Sequence, residues 1–162
     1  MSLISALANV HHQGQFGDFE DKKGDDLLQI SEKKNLLIVQ IVQFKNSKIP
    51  IESIDIDGLK LKDSSLNVAF NENTRILWNG PKNWLLVSSN KDLIKSISLK
   101  CKETDFAVTD LSHSRAIIEI EGNYVLEVLK KGSPFNFDIL KKNNSINSLY
   151  NNIAFTVDLL ND

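Results

Sequence analysis

The chain has 162 residues, 41% of them hydrophobic and 25% charged, with a formal net charge of -2. That length fits one compact domain or two very small ones, and it can bury enough core to fold without a metal or a disulfide. The charge balance leaves no basic footprint for nucleic acid, the single cysteine (Cys101) excludes an intramolecular disulfide, and no run reaches the roughly 20 apolar residues of a membrane helix.

The N-terminus, Met1-Ser2-Leu3-Ile4-Ser5-Ala6-Leu7-Ala8, lacks the basic region and apolar length of a secretory leader, so the expected location is cytoplasmic. Residues 1–25 read as an N-terminal arm. Gly14, Gly17 and Gly24 loosen it, yet Leu3, Ile4, Leu7, Val10, Phe16 and Phe19 give it more apolar content than a solvated tail needs. The arm is therefore either a mobile tail or a segment that orders on a partner. Residues 26–162 read as a single α+β domain, with two small strand–helix–strand halves meeting near 104–115 as the alternative division.

Asn35–Phe44 is a strong strand, its apolar run implying burial on both faces near the start and on one face near the end. Residues 45–74 are polar and loop-rich, with Ile54-Asp55-Ile56-Asp57-Gly58 as a short edge strand. Arg75–Trp78 and Trp84–Val87 flank Asn79-Gly80-Pro81-Lys82-Asn83, which predicts a hairpin with a longer turn. Asn90 is the expected N-cap of a helix over 91–100. Leu93, Ile94 and Ile97 make its apolar stripe and Cys101 extends it, a buried thiol acting as a small hydrophobe.

A strand beginning Phe106-Ala107-Val108 leads into Thr109-Asp110-Leu111-Ser112-His113-Ser114-Arg115. Ala116–Glu121 then alternates, with Ile118 and Ile120 on one side and Glu119 and Glu121 on the other. Gly122-Asn123 is expected to cap a helix over 124–131. Val125, Val128 and Leu129 form its stripe, Gly132 stands at a C′ position of positive φ, and Pro134 stops it. Asn-rich residues 143–152 read as a loop, and Ile153–Leu160 as a last strand. Strands with interspersed hairpins and helices favour an α+β fold, a mostly antiparallel sheet with short helices on one face.

Asp110, Ser112 and His113 carry the three side-chain types of a nucleophilic triad, but their spacing argues against one. In an extended chain Asp110 and Ser112 share a face while His113 points away, and a triad needs groups converging from separate elements. No Gly-x-Ser-x-Gly elbow is present. Asp110 and Ser112 therefore read as turn-stabilising, bonding to nearby backbone amides. His11-His12 with His113 lacks metal-ligand spacing, and neither the dinucleotide fingerprint nor the Walker pattern occurs, so no catalytic, metal or cofactor site is expected. Trp84, His113 and Arg115 are the candidates for a subunit interface, since an exposed Trp anchors interfaces. A partly buried Arg115 would need a carboxylate such as Asp110. Paired lysines (22–23, 33–34, 130–131, 141–142) read as solvated surface.

Three blocks carry a family resemblance. They are Gly80-Pro81-Lys82-Asn83-Trp84-Leu85-Leu86-Val87; Val108-Thr109-Asp110-Leu111-Ser112-His113-Ser114-Arg115, followed by a strand and Gly122; and Leu126-Glu127-Val128-Leu129-Lys130-Lys131-Gly132-Ser133-Pro134-Phe135-Asn136-Phe137. Together, with Ser5-Ala6-Leu7 at the opening, they resemble the gamma subunit of heterotetrameric sarcosine oxidase over residues 78–160, and more loosely before that. The second block is also similar to the aminomethyltransferase and folate-binding superfamily. The resemblance implies a folate-binding-domain (aminomethyltransferase-like) type of fold. It further implies a non-catalytic subunit that supports assembly of a complex demethylating sarcosine oxidatively to glycine. Alpha, beta and delta subunits would be its partners, and FAD, FMN, NAD and tetrahydrofolate would sit on them; neither nucleic acid nor membrane is implied. The alternative is a stand-alone folate-binding or one-carbon transfer protein, and a scaffold binding an unrelated protein is a third reading.

Two departures stand out. Ser133 occupies the family's usual Cys, which argues against relatives of the iron–sulfur-repair type, whose Lys-Gly-Cys motif needs its thiol. Family members usually continue beyond the equivalent of Asp162 by a strand and a helix, so the strand at 153–160 is expected to lack a neighbour and leave an open edge.

Overall fold

A computed structural model of the chain describes Ser5, residues 7–17 and residues 27–161. In chain order its elements are β1 (Gly14–Phe16), β2 (Leu28–Lys33), β3 (Leu37–Gln43), β4 (Asp55–Ile56), β5 (Leu59–Lys60), β6 (Val68–Phe70), β7 (Thr74–Gly80), β8 (Asn83–Ser88), α1 (Leu93–Lys100), β9 (Phe106–Asp110), β10 (Ile117–Glu121), α2 (Val125–Gly132), β11 (Ser145–Tyr150) and β12 (Ile153–Asp158). The sheets are antiparallel and the two helices short, so the architecture is α+β.

The residues fall into two compact units. One comprises Asn35–Ser112, Leu140–Asn147 and Thr156–Asp162. Its centre is a five-stranded sheet in the order β6-β7-β8-β3-β9. Continuous apolar character suits β3 to its interior place between β8 and β9: Leu37, Ile38, Val39 and Ile41 are all buried, as expected for a strand covered on both faces at its start. One face of β3 joins Ile76, Trp84, Leu86 and Phe106 in a core completed by Leu93, Ile97 and Cys101 of the α1 stripe and by Ile54, Ile56 and Leu61. Each fully buried aliphatic side chain there contributes about 1.5–3 kcal/mol.

Several expectations are revised in this unit. Ile54–Gly58 is no edge of the main sheet but opens a separate ribbon, β4 with β5, whose Ile56 is fully buried. Asp57 and Gly58 make its two-residue turn with φ of +57° and +76°, the mirror-image geometry that matches strand twist. The β7–β8 turn is tighter than read: Gly80 pairs with Asn83, leaving Pro81 and Lys82 as the connection, and Asn79 is taken up in a bulge. Asn90 is not the N-cap of α1. Its Oδ1 accepts from Asp92 N at 3.1 Å, two residues earlier, so it shapes the approach to the helix instead.

The other unit comprises Met1–Lys34, His113–Ile139 and Ser148–Phe155. Its sheet has the order β1-β2-β10, with Gly14 opposite Ile30 and Ile118 opposite Glu32. Part of the arm is thus a strand on this chain's own sheet. The rest of the arm expectation, at residues 1–4, 6 and 18–25, and Ala6 of the family-like opening lie outside the described residues. In β10 the expected inward face is reversed in part: Ile118 is 46% exposed, while Glu119 is half-buried and paired with Lys33 at 2.5 Å.

Helix α2 starts without a side-chain cap, so Asn123 does not play that role. Gly122 has φ +134°, and a Cβ there would meet the Leu27 carbonyl oxygen at 2.6 Å. Gly132 is not a positive-φ C′ residue. It ends the helix proper, and a Cβ on it would stand 2.5–2.8 Å from the Tyr150 ring. Close approach, not backbone freedom, is what demands glycine there.

The Asn-rich stretch is not a loop. It contains β11, which forms a two-stranded ribbon with β12 across Asn151-Asn152, at φ of +46° and +67°. The last strand therefore has a neighbour, contrary to the expectation of a strand left alone.

Candidate functional site

The segment richest in reactive side chains begins where β9 ends. Asp110 lies opposite Val39 of β3, and Leu111 N continues the ladder by donating to Ile38 O at 2.8 Å. Beyond that point a side chain replaces the backbone. Ser112 Oγ accepts from Ile38 N at 3.0 Å and donates to Asp110 Oδ1 at 2.6 Å, and Ser112 N donates to the same oxygen at 2.9 Å. The serine hydroxyl thus caps an amide at the start of β3 and gives its proton to a carboxylate two residues back. A nucleophilic serine instead gives its proton to a base that can pass it on.

His113, Ser114, Arg115 and Ala116 follow as four exposed residues. The guanidinium of Arg115 remains in solvent, so its charge needs no buried carboxylate. Trp84 is corrected as an interface candidate. It is 1% exposed, sits in the core, and its Nε1 donates to Lys62 O at 2.8 Å. A side chain with no accessible surface cannot anchor a partner. Of the three interface candidates only His113 and Arg115 reach solvent.

The other two family-like blocks fall on β8 and on α2 with the turn after it, and each is fastened by polar side chains. In the first, Asp63 Oδ1 accepts from Trp78 Nε1 at 2.7 Å and from Lys82 N at 3.2 Å, pinning the β7–β8 connection. In the third, Ser133 is buried and its hydroxyl pairs with Ser148 Oγ at 2.8 Å, while Lys130 bridges Glu127 and Asp138 at 2.7 Å each. Ser133 is thus a hydrogen-bonding residue.

A polar cluster the sequence reading missed is more elaborate. Asp57 Oδ2 accepts from Thr74 Oγ1 at 2.6 Å and from Asn71 Nδ2 at 3.1 Å. Thr74 Oγ1 also meets Ser88 Oγ at 2.8 Å, and both hydroxyls are buried. The Thr74 and Asn71 hydrogen bonds hold the Asp57 carboxyl below the usual carboxylate range. Its signal was legible in principle: Asp-Gly at 57–58 announces the turn, and Asn71 two and three residues before Asn73 and Thr74 announces an Asx turn, seen in Oδ1 accepting from both amides. With every one of these oxygens engaged internally, the cluster fastens strands together.

A shallow cavity of about 230 Å³ is lined by Ser53, Ile54, Asp55 and Lys100, below the usual 300–1,000 Å³ of ligand pockets. Lys100 Nζ closes on Asp55 O at 2.5 Å beside it. No group of three or more His, Cys, Asp or Glu among the described residues is placed to hold a metal. Cys101 is buried, which pushes its thiol up to about 11, away from reactivity. No described helix is long and apolar enough to cross a membrane.

These turns and strands define an antiparallel α+β fold, and solved structures contain it. No family model matches the chain, and no curated protein matches it. A chain of the heterotetrameric sarcosine oxidase from Corynebacterium sp. U-96, in complex with pyrrole 2-carboxylate, is similar in structure with a TM-score of 0.74. The two are 22% identical, over 84% of this chain and 72% of that chain. At that identity the likeness establishes the fold.

Proposed function

We propose that the chain is a non-catalytic, gamma-type subunit of a heterotetrameric sarcosine oxidase-like flavoenzyme. Its fold is of the folate-binding-domain (aminomethyltransferase-like) type. It supports assembly, while its alpha, beta and delta partners carry FAD, FMN, NAD and tetrahydrofolate and demethylate sarcosine to glycine in the cytoplasm. The observation carrying this reading is the fold shared with a chain of such an oxidase across 84% of the sequence. The local chemistry supports it too. The Ser112 hydroxyl and the Asp110 carboxylate are committed to ending two strands, and the exposed run His113–Ala116 presents an imidazole and a guanidinium to solvent.

Co-expression with the flavin-bearing subunits tests the proposal. The chain is expected to co-purify with them in fixed ratio, and His113→Ala with Arg115→Ala to weaken that association. Exposed positions like these change stability by only about 0.5 kcal/mol, so a weakened complex would report binding and not unfolding. A chain that stays monomeric and indifferent to the large subunits sinks the proposal. Saturable heat on titrating tetrahydrofolate into the isolated chain would favour the stand-alone one-carbon alternative.

A further inference from the structure

The N-terminal segment, Ser5 and residues 7–16, is fastened to β2 at two places. At its far end Gly14–Phe16 pairs with Leu28–Ile30. At its near end the Ser5 hydroxyl donates to Glu32 Oε1 while accepting from Leu7 N at 3.0 Å. Between them Leu7–Val10 turns, with His11 N donating to Leu7 O at 2.8 Å. Little apolar burial assists: Val10 is 69% exposed and Phe16 is 38% exposed. A three-residue edge strand with so few apolar contacts belongs to the least stable parts of a fold. Among the described residues its strong side-chain attachment is the charge-assisted bond to Glu32, whose side chain is only 5% exposed.

We propose that Glu32 is an acid-released latch: its carboxylate holds the N-terminal segment against β2, and protonating it frees the segment and uncovers the strand's hydrogen-bonding edge. Among the described residues the groups facing Glu32 are few. Lys34 Nζ lies 3.5 Å from Oε2, the His11 imidazole lies within electrostatic reach, and β10 places Ile118 opposite. Glu119, on the other face of β10, is occupied by Lys33. The Ser5 bond, ahead of Lys34 and His11, keeps the carboxyl below its ordinary range against the opposing effect of burial. A depressed carboxyl stabilises above its unfolded value and loses that effect as pH falls through its folded one, so acid opens the latch. With β1 gone, amides of β2 lose their partners and present a bare edge, which other strands can pair with.

Amide hydrogen exchange on the full chain, corrected for the intrinsic pH dependence, tests this between about pH 7 and about pH 3.5. The wild type should lose protection about tenfold in residues 7–16 and in β2, while β10 and α2 keep theirs. Glu32→Gln and Ser5→Ala should show that loss already at neutral pH. Ser5→Ala leaves Glu32 and the sheet ladder in place, so it reads the latch even where Glu32→Gln misfolds. Protection in Ser5→Ala equal to wild type, a wild type flat across the pH range, or a loss spreading equally through β10 and α2 would each overturn the proposal.

Discussion

Replacing Gly132 by alanine separates two explanations for a glycine at the end of a helix. An alanine Cβ would lie 2.5 Å from Tyr150 Cζ, 2.6 Å from Cε2 and 2.8 Å from Cδ2, about 1 Å inside ordinary contact distance for all three. The ring cannot swing away freely. It packs edge-on against Phe155 at 6.2 Å between centroids, and the next residue, Asn151, donates its amide to Gly132 O at 2.8 Å. Overpacking of this kind costs about 1–3 kcal/mol. Alanine's better helix propensity offsets at most about 1 kcal/mol, and less in a last turn. The net expectation is a destabilisation of about 1–2 kcal/mol. Urea unfolding followed by circular dichroism measures it, in the wild-type background and again in Tyr150→Ala. With the ring gone the clash vanishes, so Gly132→Ala there should be neutral or slightly stabilising, a coupling of at least about 1 kcal/mol. An equal cost in both backgrounds would mean that backbone conformation, not the ring, requires glycine, and the close-approach argument would fail.

Thr74→Val removes the hydroxyl that bonds both Asp57 and Ser88, at an expected cost of about 1–3 kcal/mol at neutral pH. The Asp57 carboxyl is depressed by that bond first, so its contribution is present above the ordinary value of 3.8 and lost as pH falls through the lower folded value. Stability-versus-pH curves of wild type and variant should therefore converge in acid, and parallel curves would refute the linkage. Trp84→Ala should cost about 3–5 kcal/mol in the same unfolding assay, as deletion of a core ring does. A surface anchor would instead weaken a complex and leave stability intact. Cys101, with its thiol pushed up to about 11, should resist alkylation at pH 8 in the folded chain and react fully in urea. Rapid labelling of the native protein would contradict its burial.

Elements whose neighbours do not matter were legible in the sequence. Leu37–Gln43 declares a doubly covered strand through unbroken apolar character, and Leu93, Ile97 and Cys101 declare the buried stripe of α1. Trouble came where one residue type serves two physical ends. Asparagine density at 143–152 suggests a loop because asparagine tolerates positive φ, yet only Asn143, Asn151 and Asn152 use that tolerance. Asn144 and Asn147 are built into paired backbone or side-chain bonds. Gly132 looked like a conformational glycine because only a distant residue, Tyr150, reveals the crowding. Strand β2 has no local signature, because its Leu28, Ile30 and Glu32 face ends in a charge and the segment that receives that charge is far off in the sequence. At the candidate site the turn chemistry of Asp110 and Ser112 could be reasoned from spacing. The exposure of Arg115 and the burial of Trp84 are tertiary facts that no local pattern encodes.

The interior position of β3, between β8 and β9, also bears on how the chain reaches its fold. Val39 lies opposite Leu86 on one side and opposite Asp110 on the other, so both neighbours are made long after it. The meander of β6, β7 and β8 closes through short turns and can form early, whereas docking β3 must wait for closure of long loops. During synthesis the most apolar strand of the chain is thus the first of its sheet to emerge and among the last to be covered. Leu37-Ile38-Val39-Gln40-Ile41-Val42 is β-prone, uncharged and free of proline, the profile of a segment that self-associates while it waits. A chaperone that shields this stretch until β8 and β9 are made is therefore expected to raise the yield from the cell.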